Sequence, residues 1–305
     1  MKHAFLGNLN PFSRLVFAIA LAFSCFLVVF AVALLIAMPV FHNNLAGTLL
    51  LLSHLDDPRA LPLLKYFQVT QSFGLFIIPA VLAGYLFEGS SWSYLKAKTT
   101  ASGSIYLIVF AMMFISLPFI NWLVDINEMM KLPPALKGLE DWMKSAEEQA
   151  GKVTDTFLAG KSFGNFLFNI FMIGILPAVG EEFIFRGLLQ KLFRDLFKNI
   201  HVAIFLTGFL FAVMHMQFYG LLPRMILGVL FGYLFYWSGS IWVPVFAHFV
   251  NNSGAIVVSY LANLGIISQK YQDFGSTHSV LLIMLSMLMT FTCLFMVYRR
   301  KPVKI

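Results

Sequence analysis

Long runs without Asp, Glu, Lys or Arg alternate with short charged segments along the chain. A transmembrane helix needs about 20 consecutive apolar residues, because each residue advances the helix by about 1.5 Å. The pattern predicts eight transmembrane helices if the run from Met225 holds two, divided at 238–240, and the first run holds one that ends near Met38. The uncharged runs are Leu15 to Leu55, Tyr66 to Phe87, Thr99 to Val124, Ser162 to Gly180, Asn199 to Pro223, Met225 to Gln269 and Phe274 to Tyr298.

The composition excludes the soluble classes of protein. Hydrophobic residues make up 59% of the 305 residues and charged residues 11%, whereas soluble domains carry about 25% charged residues. So apolar a chain is neither disordered nor a single soluble domain. The net charge of +7 indicates no nucleic-acid partner, because the basic residues collect at the ends of apolar runs. The sequence therefore predicts an all-α polytopic membrane protein.

This pattern divides the chain into four regions. The first holds three transmembrane helices and a surface-lying stretch after the first helix. In the charged connection that follows, Leu136, Leu139, Met143 and Ala146 recur at helical spacing and predict an amphipathic helix on the membrane surface. A solvated loop is the alternative there. The predicted regions are the N-terminal region 1–124, the non-cytoplasmic connection 125–162, the helical core 163–298 and the basic cytoplasmic tail 299–305.

The basic residues predict the orientation. With eight spans both termini share one side, and that side carries most of the Lys and Arg outside the long acidic connection. Cytoplasmic loops are the ones enriched in Lys and Arg, so we expect both termini in the cytoplasm and the chain in a bacterial inner membrane. The basic residues on this side are Lys2, Arg14, Lys96, Lys98, Arg186, Lys191, Arg194, Lys198, Arg299, Arg300, Lys301 and Lys304.

Three polar clusters lie within or beside the apolar runs, where ionisable side chains are costly and mark candidate functional sites. They are Glu181, Glu182 and Arg186 in the first cluster, His215 in the second, and His248 and Asn252 in the third. The residues of the third cluster share one helix face because they are four apart, and the same spacing allows an internal ion pair between Glu182 and Arg186. Glu181 points about 100° away from Glu182 and is left uncompensated for work as a general base.

The clusters can meet only if the helix that carries Glu181 continues past Lys198. It would then turn and return as the helix carrying His215, with both side chains about 25 Å from the turn. His248 would lie about 10 Å into the bilayer from the same face. If the first helix ended at Gly180 instead, Glu181 and His215 would lie near opposite faces.

A glutamate, two histidines and an asparagine around a small cavity can hold or activate water. With a divalent metal such as zinc, the histidines would be ligands and the bound water a nucleophile near neutral pH. Without a metal, Glu181 with His215 would deprotonate water while His248 and Asn252 steady the oxyanion. Either route predicts amide hydrolysis inside the membrane. Alternatively, the histidines and Asn252 are interhelical hydrogen-bonders and the glutamates interfacial charges.

These residues resemble the motifs of the CPBP family of intramembrane proteases, which comprises CAAX proteases and bacteriocin-processing enzymes. The family motif E-E-x-x-x-R is matched at Glu181 to Arg186, F-x-x-x-H at Phe211 to His215, and H-x-x-x-N/D at His248 to Asn252. Their order and spacing agree with the family over about Phe163 to Ala262. The zinc-protease motif H-E-x-x-H is absent.

The resemblance implies an eight-helix fold, a site open to the cytoplasm, and a peptide or protein substrate that is lipid-modified or membrane-bound. The family is usually classed as metalloproteases, but a metal-independent glutamate mechanism has been argued for eukaryotic-type members, so metal dependence stays open. The implied roles are Glu181 as the water-activating base, His215 beside it, His248 and Asn252 as metal ligands or oxyanion stabilisers, and Glu182 and Arg186 in support. The candidate metal ligands are Glu181, His215, His248 and Asn252.

Two other functions stay open. A scaffold or bacteriocin-immunity protein would bind without catalysis and would not need the full polar set. A proton-coupled transporter could use the same Glu and His, although the chain shows no internal repeat of the kind common in transporters.

A few further residues are predicted to be structural. Gly228 and Gly232 predict close helix packing, and Pro177 predicts a kink before Glu181. Asn251 is one residue short of the spacing from His248 that the motif requires.

Overall fold

Every regular element in the described part of the chain is helical. The structure is a computed structural model that describes residues 4–53, 57–268 and 274–300, and these ranges contain no strand. The predicted all-α fold is confirmed. The main helices are α1 Pro11–Val40, α2 Leu45–Ser53, α3 Ala60–Glu88, α4 Ser91–Tyr94, α5 Gly103–Ile115, α6 Leu117–Met129, α7 Lys137–Leu158, α8 Phe163–Phe197, α9 Ile200–Met214, α10 Leu221–Ser238, α11 Trp242–Asn263 and α12 Val280–Arg299.

Six helices of the described residues are long and apolar enough to cross a membrane, namely α1, α3, α8, α10 with its preceding turn, α11 and α12. The pair α5 and α6, bent by 44°, adds a seventh if it is one span. Helix α9 is apolar but has only 15 residues, or about 22 Å. Each predicted span therefore corresponds to a helix or a bent pair, and the count of eight is approximate. The chain is an integral, multi-pass membrane protein.

The bend between α5 and α6 was not anticipated from the apolar pattern. Pro118 has no N–H and cannot continue the helical hydrogen bonding. The Ser286 hydroxyl on α12 accepts a hydrogen bond from the Phe119 N–H at 3.1 Å and donates one to the Ile115 carbonyl at 2.6 Å. A neighbouring helix thus pairs backbone groups that the bend exposes, as a membrane interior requires.

The long hairpin on which the site depends is present. Helix α8 is 35 residues long and continues past Glu181. Lys198 ends it in the left-handed conformation with φ 55°, and the Asn199 side chain then caps α9 by accepting the His201 N–H at 2.9 Å. Glu181 and His215 therefore lie on antiparallel helices at similar distances from the turn, as predicted.

Helix α8 departs from α-helical geometry on both sides of the two glutamates. Residues Ile170–Ile175 and Phe183–Leu189 form π-helical turns, which often occur at functional sites. Pro177 lies two residues after the end of the first π turn.

Helix α7 forms in the predicted amphipathic connection, so the alternative of a solvated loop is wrong. Its C-terminal end docks on the bundle: Phe157 is buried, and the side chains of Asn169 and Asn263 donate hydrogen bonds of 2.8 Å to its last carbonyls. Its position on a membrane surface stays a prediction. The connection drawn at 125–162 begins inside α6, because that helix runs on to Met129.

Some residues used in the orientation argument lie outside the described residues, and so does the predicted tail 299–305 beyond Arg300. These residues are Lys2, Lys301 and Lys304.

Candidate active site

The two adjacent glutamates lie near the middle of α8 and serve different partners. Glu182 is fully buried, and its Oε1 accepts hydrogen bonds from Arg186 Nη1 at 2.8 Å and from His248 Nδ1 at 2.9 Å. Glu181 is partly buried, and its Oε2 accepts no hydrogen bond from a described protein group. Successive helical residues point about 100° apart. The buried carboxylate of Glu182 and the unpaired Oε2 of Glu181 therefore face different surroundings.

Arg186 compensates the buried charge of Glu182, which confirms the predicted ion pair. Its side chain has 0% exposure, and its Nη2 donates to the Gly228 carbonyl at 3.0 Å. The guanidinium lies 4.7 Å from the ring centre of Phe211 and 5.4 Å from that of Phe231. A buried ion pair is tolerated only with such additional partners.

The neighbours of the two histidines fix which ring nitrogen carries the proton. Nδ1 of His215 lies 2.7 Å from the Phe211 carbonyl, which can only accept, so Nδ1 must donate. Nδ1 of His248 likewise donates to the Glu182 carboxylate. In each neutral ring Nε2 is then an unprotonated acceptor.

Both Nε2 atoms face the same oxygen of Glu181. Its Oε2 lies 4.0 Å from Nε2 of His215 and 3.9 Å from Nε2 of His248. The three groups come from α8, α9 and α11, so the structure brings together the acid and both imidazoles that the hairpin hypothesis required. The spacing exceeds a direct hydrogen bond and suits one small molecule such as water held among them.

Asn252 lies one helical turn from His248 but is bonded elsewhere. Its Nδ2 donates to the Ile173 carbonyl at 3.0 Å, and its Oδ1 accepts from Asn251 at 3.2 Å. Pro177 has no N–H to give to the carbonyl four residues before it, which is that of Ile173. Asn252 thus links α11 to α8. Its role as an oxyanion donor or metal ligand stays a prediction.

These side chains match the predicted metal centre in donor type but not in spacing. Two unprotonated Nε2 atoms and a carboxylate oxygen are the donor types that zinc prefers, and Glu182 behind His248 is the usual second partner of a ligating histidine. Within the described residues, however, no three His, Cys, Asp or Glu are spaced to hold a metal ion. The donor chemistry fits a metal, whereas the spacing would have to contract.

An apolar pocket of about 390 Å³ lies between α8 and α11. Ala178 and Val179 line it from the turn of α8 before Glu181, and Val245 and Phe249 line it from either side of His248 on α11.

Several residues of the site were not identified from the sequence. Phe231 stacks on His248 at 5.5 Å, and the Gly228 carbonyl receives Arg186. The G-x-x-x-G pattern signalled close packing, which is confirmed, since a Cβ on Gly228 would lie 2.8 Å from the Cα of Gly208. Only the contact with α8 shows that this packing also presents a carbonyl to the buried arginine.

Comparison with known proteins supports the resemblance seen in the motifs. Residues 163–254 match the family model described as type II CAAX prenyl endopeptidase Rce1-like. The uncharacterized protein YpbD of Bacillus subtilis (strain 168) is 26% identical over 113 residues, which are 36% of this chain and 53% of that protein. The chain thus matches about half the length of this curated relative. No solved structure matches the chain significantly.

Proposed function

Because residues 163–254 are similar to the type II CAAX prenyl endopeptidases, we propose that this chain is an intramembrane endopeptidase. It hydrolyses a peptide bond with water activated by Glu181. The observation that carries the proposal is the convergence of Nε2 of His215 and His248 on Oε2 of Glu181, within 4.0 Å. A scaffold has no need for an uncompensated carboxylate between two imidazoles.

The hydrogen bonds on Nδ1 assign different roles to the two histidines. The Glu182 carboxylate accepts the Nδ1–H of His248 and fixes its ring, and the ring steadies the developing oxyanion through Nε2–H when Nε2 also carries a proton. His215 has a neutral carbonyl on Nδ1, so its Nε2 accepts a hydrogen bond from the attacking water and orients it. Glu181 takes the proton from that water and returns it to the leaving amine.

A metal would use the same atoms. Glu181, His215 and His248 would hold it, with Asn252 as a further candidate. When bound, it would lower the pKa of its water toward about 7 and polarise the scissile carbonyl. The proton transfer by Glu181 is needed with or without it.

The substrate is a peptide or protein that is lipid-modified or otherwise membrane-bound, and cleavage occurs near the cytoplasmic face. On α11, His248 is six residues after Trp242, the first residue of that helix, or about 9 Å from its end. The loop before α5, whose Ala97 carbonyl accepts a hydrogen bond from Trp242 Nε1, carries Lys96 and Lys98, the kind of residues found on the cytoplasmic side.

The test is cleavage of a peptide library by the purified protein in lipid nanodiscs. We expect Glu181→Gln to lower the turnover about 10³-fold, because a positioned general base contributes about 10²–10⁴-fold. Glu88→Gln, which makes the same change at an exposed position of α3, is the control. Equal turnover in the two variants would exclude Glu181 as the base. The dependence on a metal is tested separately, by measuring turnover after treatment with a chelator and again after zinc is added back.

A further inference from the structure

His215 lies where its helix ends. It is the C-terminal cap of α9, and Met216 follows in the left-handed conformation with φ 54°, which is rare for a residue other than glycine. The helical hydrogen bonds that hold a residue in mid-helix therefore stop at this residue. The ring itself is held through Nδ1 by the Phe211 carbonyl, so the following segment, Met216–Leu222, acts on the ring by way of the His215 backbone.

Three side chains from other elements hold this segment. Asn127 of α6 is buried, accepts the Leu222 N–H at 2.6 Å and donates to the Phe218 carbonyl at 2.9 Å. Arg224 of α10 donates to the carbonyl and side-chain oxygens of Gln217, at 3.0 and 2.6 Å.

The third side chain comes from the amphipathic helix α7. Oε2 of Glu147 accepts the Tyr219 N–H at 3.1 Å. One and a half turns earlier on α7, the Trp142 ring packs against Phe218 at 5.3 Å between ring centres. Helix α7 thus contacts the segment through a charged hydrogen bond and an aromatic pair.

We propose that α7 positions His215 for the reaction, with Glu147 as the positioning residue that secures the segment after it. This inference rests on the proposed function and deepens it. Helix α7 lies outside residues 163–254, the part similar to the endopeptidase family. The inference therefore assigns to the connection 125–162 a part in catalysis that the three motifs do not contain.

The test compares Glu147→Ala with Glu148→Ala, which removes the same charge from an exposed position of the same helix. We expect Glu147→Ala to lower kcat about tenfold with KM unchanged within about twofold, because a displaced catalytic group costs rate more than binding. Glu147→Gln keeps an oxygen acceptor for the Tyr219 N–H and should recover most of the loss. Equal kcat in the two alanine variants would overturn the inference.

A second readout does not need turnover. The ring resonance of His215 in the NMR spectrum, assigned by its loss in His215→Gln, should shift in Glu147→Ala and stay unchanged in Glu148→Ala. Hydrogen exchange of the segment 216–222 should accelerate about tenfold in Glu147→Ala alone, as loss of one such hydrogen bond predicts. An unmoved resonance refutes the positioning role even if the wild type is active. A wild type without peptidase activity would refute the proposed function instead.

Discussion

Oε1 of Glu182 accepts hydrogen bonds from both Arg186 and His248. The carboxylate therefore links the ion pair to the His248 imidazole, and removing either partner changes the other. With 0% exposure on both members of the ion pair, water cannot replace a lost partner. The stability of this part of the bundle and the orientation of the His248 ring depend on the same three residues.

At the residue scale we predict that Arg186→Met destabilises the protein by about 3–5 kcal/mol, because it leaves a buried carboxylate without its counter-charge. Adding Glu182→Gln should recover part of this loss. The control is Arg194→Met, at a half-exposed ion pair with Asp195 on the same helix, where we expect less than about 1 kcal/mol. Thermal unfolding in detergent measures all three. Equal losses in the two single variants would contradict the account.

At the scale of elements, the packing of α9 against α10 sets how far Gly228 lies from α8. The backbones of Gly208 and Gly228 touch, with no room for a side chain between them. This close approach, typical of small-residue interfaces in membranes, places the Gly228 carbonyl within reach of Arg186. Helix packing thus contributes directly to the polar network of the site.

We therefore predict that Gly228→Ala destabilises the fold by about 1–3 kcal/mol, because the new methyl group forces α9 and α10 apart. Gly254→Ala is the matched control on α11, since a Cβ there meets nothing within 4 Å and the change improves helix propensity. Chemical or thermal unfolding of both variants measures this loss of stability. A cost at Gly254 equal to that at Gly228 would show that the close approach is not what matters.

At the scale of the whole molecule, the short turn between α10 and α11 is tied to the basic loop before α5. Trp242 Nε1 donates to the Ala97 carbonyl at 2.8 Å, and the Ile241 N–H donates to the Lys96 carbonyl at 3.4 Å. His248 is about 9 Å from this end along α11. If the proposed function holds, the side of the membrane that this loop faces is the side near which the substrate would be cut.

The orientation predicted from the basic residues places this end in the cytoplasm. We expect green fluorescent protein fused after Ile305 to fluoresce in a bacterial host, and alkaline phosphatase fused at the same position to be inactive. A second fusion within 125–162 should give the opposite result. An exported reporter at Ile305 would reverse the orientation and move the cut to the other face.

Patterns in the sequence alone led to the membrane class, the helical segments and the long α8–α9 hairpin. They suffice because placing an ionisable side chain in the bilayer interior costs so much free energy that Asp, Glu, Lys and Arg mark the ends of spans. Spacing along a helix predicted the pair of Glu182 with Arg186. Depth counted at about 1.5 Å per residue predicted that Glu181 and His215 would lie level.

The periodicity of the sequence could not predict the features that depend on contacts between helices. The bend at Pro118 is tolerated because Ser286, far away in the sequence, supplies its missing partners. Asn252 donates a hydrogen bond to the Ile173 carbonyl, which lacks its helical donor because Pro177 has no N–H. The protonated nitrogen of each histidine is set by a neighbour that is known only after folding. The length and charge of each segment follow from the sequence of that segment alone. The hydrogen-bond partners inside a water-free interior depend on which helices pack together, and only the tertiary structure decides that.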